Sequence, residues 1–598
     1  FLPFVNLAEN PDTDYLTPTT AGTTYVNVTG DSMTGALNLN LATGTDGLLL
    51  NDTSAVKKMA FNWASNAINF DVFSPEPSNQ FLNSTFDSDL TSWSEVPSYT
   101  LNDQFTTDRA AGAVNGTAAE PTGGTRTVVD TNSKLSITGG QLSFATGGPA
   151  GGTPDPGAWY SSLVRTAGKV ATTKLNITSG VARFGWGVSS GGDTSDGGFN
   201  FNGIIYNIGK AVAEAFSVGT DYYVADILRT SGRYMFIKGG TYINWTLLDV
   251  TATGTTASMY PTIFTVYGGV FTADNIRIPT STWLPTPLAY DTFTRADGAI
   301  GSSETTGPDS KTTPSLAWTG GAISTNKNVI TPSLGSELNG DTGFDNNAYW
   351  EKGTGVTVSG SKLNFTSVTA TGAYATPPLT TNTWYTSSFD IESKSSGGNF
   401  YVYPFTPYKY FNTVATGNVI SGRPANGNMG IYADSSNTTG VVDNFSVKPL
   451  TLSSLFSSVS TSDADVIADA NVTMTAGTQA GLVTNLDSTT TPANFLIAYH
   501  DGTNVKLDKN VAGTYTNLIS AAATYSAGAT LRVITYTSSG SLKVRVYYNN
   551  ALVGTEQTVS DAGIISNTKH GLFSTYSGNS FDNFTLWARG TGAEYTGA

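Results

Sequence analysis

Three sets of residues in this 598-residue sequence are of types that do chemistry. The first set is aromatic. Tyr401, Tyr403 and Phe405 stand at alternate positions, which puts all three on one face of a strand. Tyr408, Tyr410 and Phe411 follow them, and Trp384 and Tyr385 precede them. Exposed aromatic faces stack sugar rings, and a phenol hydroxyl favours partial exposure over full burial. The competing reading is that these rings fill a sandwich core. Trp159, Trp186 and Trp245 invite the same two readings with less support. The second set is acidic: Asp463, Asp465 and Asp469, of which the first two share a strand face by their spacing. Glycoside hydrolysis needs two carboxylates roughly 5–10 Å apart, one of raised pKa. A solvated strand edge or turn is the expectation here. The third set is the two histidines, His500 and His570, far apart in sequence. Two His argue against His-based triads and His-rich metal sites. No Gly-rich phosphate loop is present either. The residues therefore point to binding rather than catalysis, with no cofactor required.

The elements that position these residues must be strands. Charged residues make up 13% of the chain, against about 25% in an average globular protein. Gly (65 residues) and β-branched Thr are abundant, and aromatics reach 11%. That much aromatic bulk builds cores and excludes general disorder. The expectation is an all-β, multidomain sandwich or jelly-roll protein with an extended N-terminal arm. Net charge is −15, with 30 Lys+Arg spread thinly. A nucleic-acid partner needs a basic face, so none is expected. An anionic membrane surface is disfavoured for the same reason. No apolar run reaches the ~18 residues of a membrane-spanning helix. Zero cysteines rule out a disulfide framework and fit assembly in a reducing cytosol. The chain begins at Phe1, so a processed or omitted N-terminus is expected, and no signal-peptide pattern is visible.

Residues 1–77 read as an arm and anchoring segment. Val26 to Asn40 alternates around a Gly30-Asp31 turn, with Leu37 and Leu39 on one face. So short a segment cannot bury its apolar face alone. Short strands are expected at Leu48–Leu50, Lys58–Trp63 and Ala67–Val72, before the stiff Pro75-Glu76-Pro77. The run Gly30-Asp31-Ser32-Met33-Thr34-Gly35-Ala36-Leu37 resembles the GDxMTGxL motif of bacteriophage tail-fibre, baseplate-associated and other virion appendage proteins. That resemblance implies a virion, extracellular location. It also implies oligomerisation through Met33, Leu37 and Leu39, a homotrimer being favoured, and attachment to other virion proteins.

A repeat organises the remainder. Asp103-Gln-Phe105 and Asp291-Thr-Phe293 each run into a Gly/Thr/Pro-rich loop. Phe271-Thr-Ala-Asp274-Asn275 and Phe581-Asp582-Asn583-Phe584 close the two repeats. This frame resembles concanavalin A-like (laminin-G-type) sandwiches, expected over 78–286 and over 287–334 plus 450–598. First and last strands of such a sandwich lie side by side. The meander Leu531–Tyr536, Leu542–Tyr548 alternates, with Lys543 and Arg545 expected on the wet face. The Glu-x-Asp-x-x-Glu strand of concanavalin-like glycosidases is absent.

Between these pieces, 335–449 opens with Asn339-Gly340-Asp341-Thr342-Gly343-Phe344-Asp345 and Trp350, and closes with Asp443-Asn444-Phe445-Ser446-Val447. It resembles a carbohydrate-binding jelly roll of the CBM4/9 type. It reads as an insert in a loop of the 287–598 sandwich, where insertion is cheap; three beads in a row is the alternative. The resemblance implies host surface glycans as partners. It also implies a structural Ca²⁺ held by Asp345 and Asp443, assisted by Glu337. The function expected is a structural, adhesive part of a phage particle. A polysaccharide depolymerase and a bacterial surface adhesin are the alternatives.

Overall fold

The computed structural model describes residues 46–51, 57–64, 67–72, 98–145, 155–187, 198–207, 210–251, 257–266, 268–376, 379–406, 408–434 and 437–590. The chain divides into two compact units, Phe1–Asn83 and Ser84–Ala598. The all-β expectation holds. One four-residue α-helix, Ala562–Ile565, stands among antiparallel strands in the described residues. No described helix is long and apolar enough to cross a membrane.

In the first unit, Asp46–Asn51, Lys57–Ala64 and Ala67–Val72 form an antiparallel meander. It matches the three short strands read from the sequence. Met33, Leu37 and Leu39 lie outside the described residues.

Among the described residues, the second unit holds six larger sheets, which pack in pairs. Between Tyr99 and Pro279, a nine-stranded and a seven-stranded sheet enclose a core that includes Leu175, Trp186, Phe201, Met235 and Phe271. A second pair shares strands from both sides of the 335–449 stretch. Ala289–Asp291 and Lys327–Val329 both pair with Ser580–Ala588. The facing six-stranded sheet runs from Phe456–Ser460 to Thr514–Ala522. Strands between Glu351 and Pro449 make only their own four- and five-stranded sheets, around Phe365, Phe389, Phe400, Ile431 and Phe445. Leu334 and Leu450 bridge where that stretch leaves and rejoins.

Each pair of sheets opens and closes alike. Asp103 lies opposite Ile276 in the closing strand Val270–Pro279, and Asp291 lies opposite Phe584 in Ser580–Ala588. Both carboxylates are fully buried. Asp103 accepts from Arg126 Nε (2.6 Å) and Nη2 (2.5 Å) and from the Tyr160 hydroxyl (2.7 Å). Asp291 accepts from Arg295 Nη1 (2.7 Å) and Trp318 Nε1 (2.8 Å). Asp341 does the same work in the middle pair, taking Trp350 Nε1 (2.8 Å) and the Asp345 and Asn346 amides. A buried charge persists when it is paired or fully hydrogen-bonded: Asp103 and Asp291 each have an arginine, and Asp341 has neutral donors.

The closing Asp-Asn pairs are β-bulges. Asn275, Asn444 and Asn583 have φ of 53°, 54° and 51°. The register of each closing strand slips at that point. Asn tolerates the left-handed region better than other side chains, which explains the shared residue type.

Arg545 departs from its expected wet face. It points away from its own core but is 3% exposed, because another sandwich covers it. Its Nη1 meets Glu214 Oε1 at 2.6 Å, and its Nε meets Glu556 at 2.7 Å. Arg532 joins Asp249 (2.5 Å) to Asp469 (2.6 Å) across the same junction. Ile467, Ile534, Tyr547 and Trp587 pack there against Ala225, Phe236, Trp245 and Leu247.

Candidate functional site

The strand Phe400–Tyr403 alternates cleanly. Phe400 and Val402 are buried in the core, and Tyr401 and Tyr403 face out. Its neighbour Met429–Ala433 places Tyr432 directly across from Tyr401, and Gly430 across from Tyr403. The next strand, Gly372–Ala375, puts Tyr374 on the other side of Gly430, and Gly372 beside Tyr432. A glycine thus stands beside a tyrosine at three of these four cross-strand positions. A Cβ on Gly372 would come 2.8 Å from Tyr432 Cγ, and one on Gly430 would come 2.8 Å from Tyr374 Cβ. Each would meet backbone first, Ile431 O or Ala373 O, so the close strand approach beside the rings requires glycine.

Two more rings come from the loop beyond. Phe400 and Phe411 exchange both backbone hydrogen bonds at 2.8 Å, which folds the loop back. Tyr408 and Tyr410 thereby join Tyr401, at centroid distances of 4.6 and 5.7 Å. Tyr401 to Tyr432 is 5.8 Å, Tyr403 to Tyr432 is 5.5 Å and Tyr374 to Tyr432 is 6.5 Å. Tyr410 is half exposed, and the other five are intermediate. Six phenols therefore share one outer surface of the four-stranded sheet. Partial burial, then the neighbouring phenols, push Tyr432 up to about 12, and raise Tyr401 and Tyr408 in the same direction. A phenol hydroxyl both donates and accepts hydrogen bonds, so the surface offers both. Polar groups rim the row: Asn426 Nδ2 donates to the Tyr403 hydroxyl, and the Tyr374 hydroxyl donates to Glu351.

The structure separates the aromatics that the sequence grouped. Tyr401, Tyr403, Tyr408 and Tyr410 come together. Phe405 does not: its strand ends at Tyr403, alternation stops there, and Phe405 is 1% exposed in the core. Tyr385 shares strand parity with Phe389 and Ile391, so it too faces the core. Trp384 is 3% exposed in the joint with the second sandwich. Its Nε1 donates to the Tyr515 hydroxyl at 2.9 Å, and the Arg423 guanidinium lies over both rings, 5.2 Å from Trp384 and 4.1 Å from Tyr515. Trp186 is core, and Trp245 belongs to the inter-sandwich junction. Trp159 is buried. Tyr374 and Tyr432 were missed because each sits on a short strand remote in sequence from 401–410. Their signal was the Gly-x-Tyr spacing, Gly372 to Tyr374 and Gly430 to Tyr432.

The expected calcium ligands are not gathered. Among the described residues no group of three or more His, Cys, Asp or Glu is placed to hold a metal. Glu337 Oε1 accepts the Leu338, Asn339 and Val447 amides, and its Oε2 accepts from Ser446. It ties the opening segment to the closing strand directly. Asp443 accepts the Asn444 amide at its bulge, and Asp345 is exposed.

The acidic cluster is also occupied. Asp465 takes Thr537 N and Oγ1, both at 2.9 Å, and Asp469 holds Arg532. Asp463 and Asp465 line a shallow cleft. His570 is fully buried beside this segment. Its Nε2 meets the Asp463 carbonyl at 2.9 Å, and its Nδ1 accepts the Asn485 amide at 3.3 Å.

No family model and no curated protein matches the sequence. Solved structures similar to the chain include the carbohydrate-binding module CBM66 from Bacillus subtilis. It is 17% identical over 23% of this chain and 89% of that one, with a TM-score of 0.19. Xylan β-1,4-xylosidase from Bacillus halodurans C-125 is 8% identical over 81% of this chain and 90% of its own, with a TM-score of 0.18. A mutant of the GH43 protein BlXynB from Bacillus licheniformis is 11% identical over 81% of this chain and 100% of its own, with a TM-score of 0.17. Scores of this size carry no conclusion about what this chain does.

Proposed function

We propose that this protein is a non-catalytic adhesive part of a bacteriophage particle, and that its tyrosine face holds glycans of the host surface. The observation that carries the binding reading is the collection of six phenols on one solvent-facing surface, beside a core that is already complete without them. Stacked rings with hydroxyls at their edges offer sugars both an apolar face and hydrogen bonds. The phage reading is supported by the Gly30–Leu37 motif and by the acidic, Thr- and Gly-rich β composition. On this reading the N-terminal segment attaches to other virion proteins and trimerises. Many copies would then turn a weak single site into firm adhesion, since avidity multiplies binding by roughly 10²–10⁴. The test uses polysaccharide from the host envelope on a solid support. The protein should be retained, and Tyr403→Ala should abolish retention without changing the melting curve. Antibodies to the protein should label purified particles. Retention undiminished in Tyr403→Ala would refute the site, and unlabelled particles would refute the location.

A further inference from the structure

We propose that Asn426 is a self-modification site, converting through a succinimide to aspartate and isoaspartate and thereby retuning the tyrosine face. The sequence has four Asn-Gly pairs, at Asn115, Asn202, Asn339 and Asn426. Asn-Gly is the sequence most open to this reaction, because glycine has no side chain to obstruct attack by its own backbone nitrogen on the preceding side-chain amide. The structure treats the four pairs differently. The Gly116 amide donates to Arg126 O at 2.9 Å, and the Gly340 amide donates to the Tyr349 hydroxyl at 2.9 Å. Both nitrogens are held, and Asn339 is buried as well. Asn202 is exposed at the end of its strand, and its side chain makes no hydrogen bond among the described residues. The Gly427 amide makes no hydrogen bond among the described residues, and a Cβ there would meet only Leu379 O, at 3.6 Å.

The Asn426 amide is moreover flanked by the groups the reaction needs. Its Oδ1 accepts the Asn428 amide at 3.1 Å, a donor placed where negative charge develops on attack. Its Nδ2 contacts the Tyr403 hydroxyl, an acid within reach of the departing nitrogen. The Gly427 nitrogen bonds to Asn426 Cγ and gives up its proton. The Cγ–Nδ2 bond breaks, and the nitrogen takes one proton and leaves as ammonia. Water then adds to either carbonyl of the ring and opens it. Nothing is oxidised or reduced, and water is the sole co-reactant. At present Asn426 donates to Tyr403, which leaves the phenol proton free for a ligand. A carboxylate in its place takes that proton and adds negative charge to a rim that already holds Glu351.

The test ages the full-length protein in mildly alkaline buffer and follows each Asn-Gly peptide by mass spectrometry. The Asn426 peptide should gain one dalton faster than those of Asn115 and Asn339, by about an order of magnitude or more. Gly427→Ala should slow it, as should Tyr403→Phe. In denaturant all four should convert alike. Native Asn426 converting no faster than Asn115 and Asn339 would overturn the assignment, as would a Gly427→Ala rate equal to that of the wild type. The effect on binding rests on the glycan reading above, whereas the mass readout does not. If the unmodified protein is retained on host glycan, Asn426→Asp should weaken retention; equal retention would remove the retuning. If nothing is retained, the glycan reading fails and the mass measurement still decides the site.

Discussion

Tyr401 stands directly across from Tyr432 on neighbouring antiparallel strands, with ring centroids 5.8 Å apart and planes within 27° of each other. The pair is the middle of the tyrosine row, and it lies on the side of the sheet away from Phe400 and Val402. Rings on the two sides should therefore answer differently to truncation.

Phe405→Ala removes a buried ring and should cost about 3–5 kcal/mol. Tyr410→Ala removes a half-exposed ring and should change stability by no more than about 0.5 kcal/mol. Urea unfolding of the two variants measures both. A large loss in Tyr410→Ala would place that ring in the core and contradict the surface described here.

The junction of the two larger sandwiches should depend on Arg532. Removing one member of a buried, hydrogen-bonded charge set leaves the others uncompensated, at a cost of about 3–5 kcal/mol. Arg532→Ala would strand Asp249 and Asp469. The wild-type junction should resist salt, because buried pairs are screened far less than exposed ones. Calorimetry of Arg532→Ala, and of the wild type in high salt, checks both. A wild-type melt that falls steeply with salt would mean the junction opens to solvent.

Burial pushes His570 down to about 4 in the folded chain, against about 6.5 unfolded. The unfolded state then binds the extra proton first as pH falls. Stability from this group is complete above about pH 6.5 and is lost as pH falls toward 4. The shift corresponds to roughly 3 kcal/mol. Unfolding free energy measured across that window should slope less in His570→Gln than in the wild type. Equal slopes would show that His570 is not held neutral by its surroundings.

Removal of 335–449, with Leu334 joined to Leu450 by a short Gly/Ser linker, should leave a folded protein, since strands before and after that stretch share one sheet. It also uncovers Tyr499, Tyr515 and Phe573, against which Trp384 packs. The shortened chain should melt cooperatively but bind an apolar dye. Failure to fold would mean that the Trp384 joint is needed for the sandwich itself.

Strand content and the opening and closing segments were readable because they depend on local rules. Alternation marks faces and the repeated Asp-Phe and Asp-Asn frames mark the ends of each unit, whereas the paired carboxylates and the bulges show only in the structure. Phe405 was misread because a period of two holds only while the strand lasts, and this strand stops at Tyr403. Arg545 was misread because its cover comes from Glu214, on a strand of another sandwich. Tyr374 and Tyr432 reach the site through sheet order, which pairs strands distant in sequence. Glu337 and Asp443, two of the three carboxylates assigned to calcium by resemblance, accept backbone amides, and only three-dimensional bonding reveals that.

The most direct test compares the two outer faces of the 351–449 sandwich. Tyr401→Ala and Tyr410→Ala alter the four-stranded face. Thr386→Ala and Ser388→Ala alter the outward side of the five-stranded face. Each variant is melted and then applied to immobilised host glycan. The tyrosine variants should keep their melting temperature within a few degrees and lose retention, while the Thr386 and Ser388 variants keep both. Retention that survives both tyrosine changes, or that disappears with Thr386 or Ser388 instead, would contradict the assignment of glycan binding to the tyrosine face.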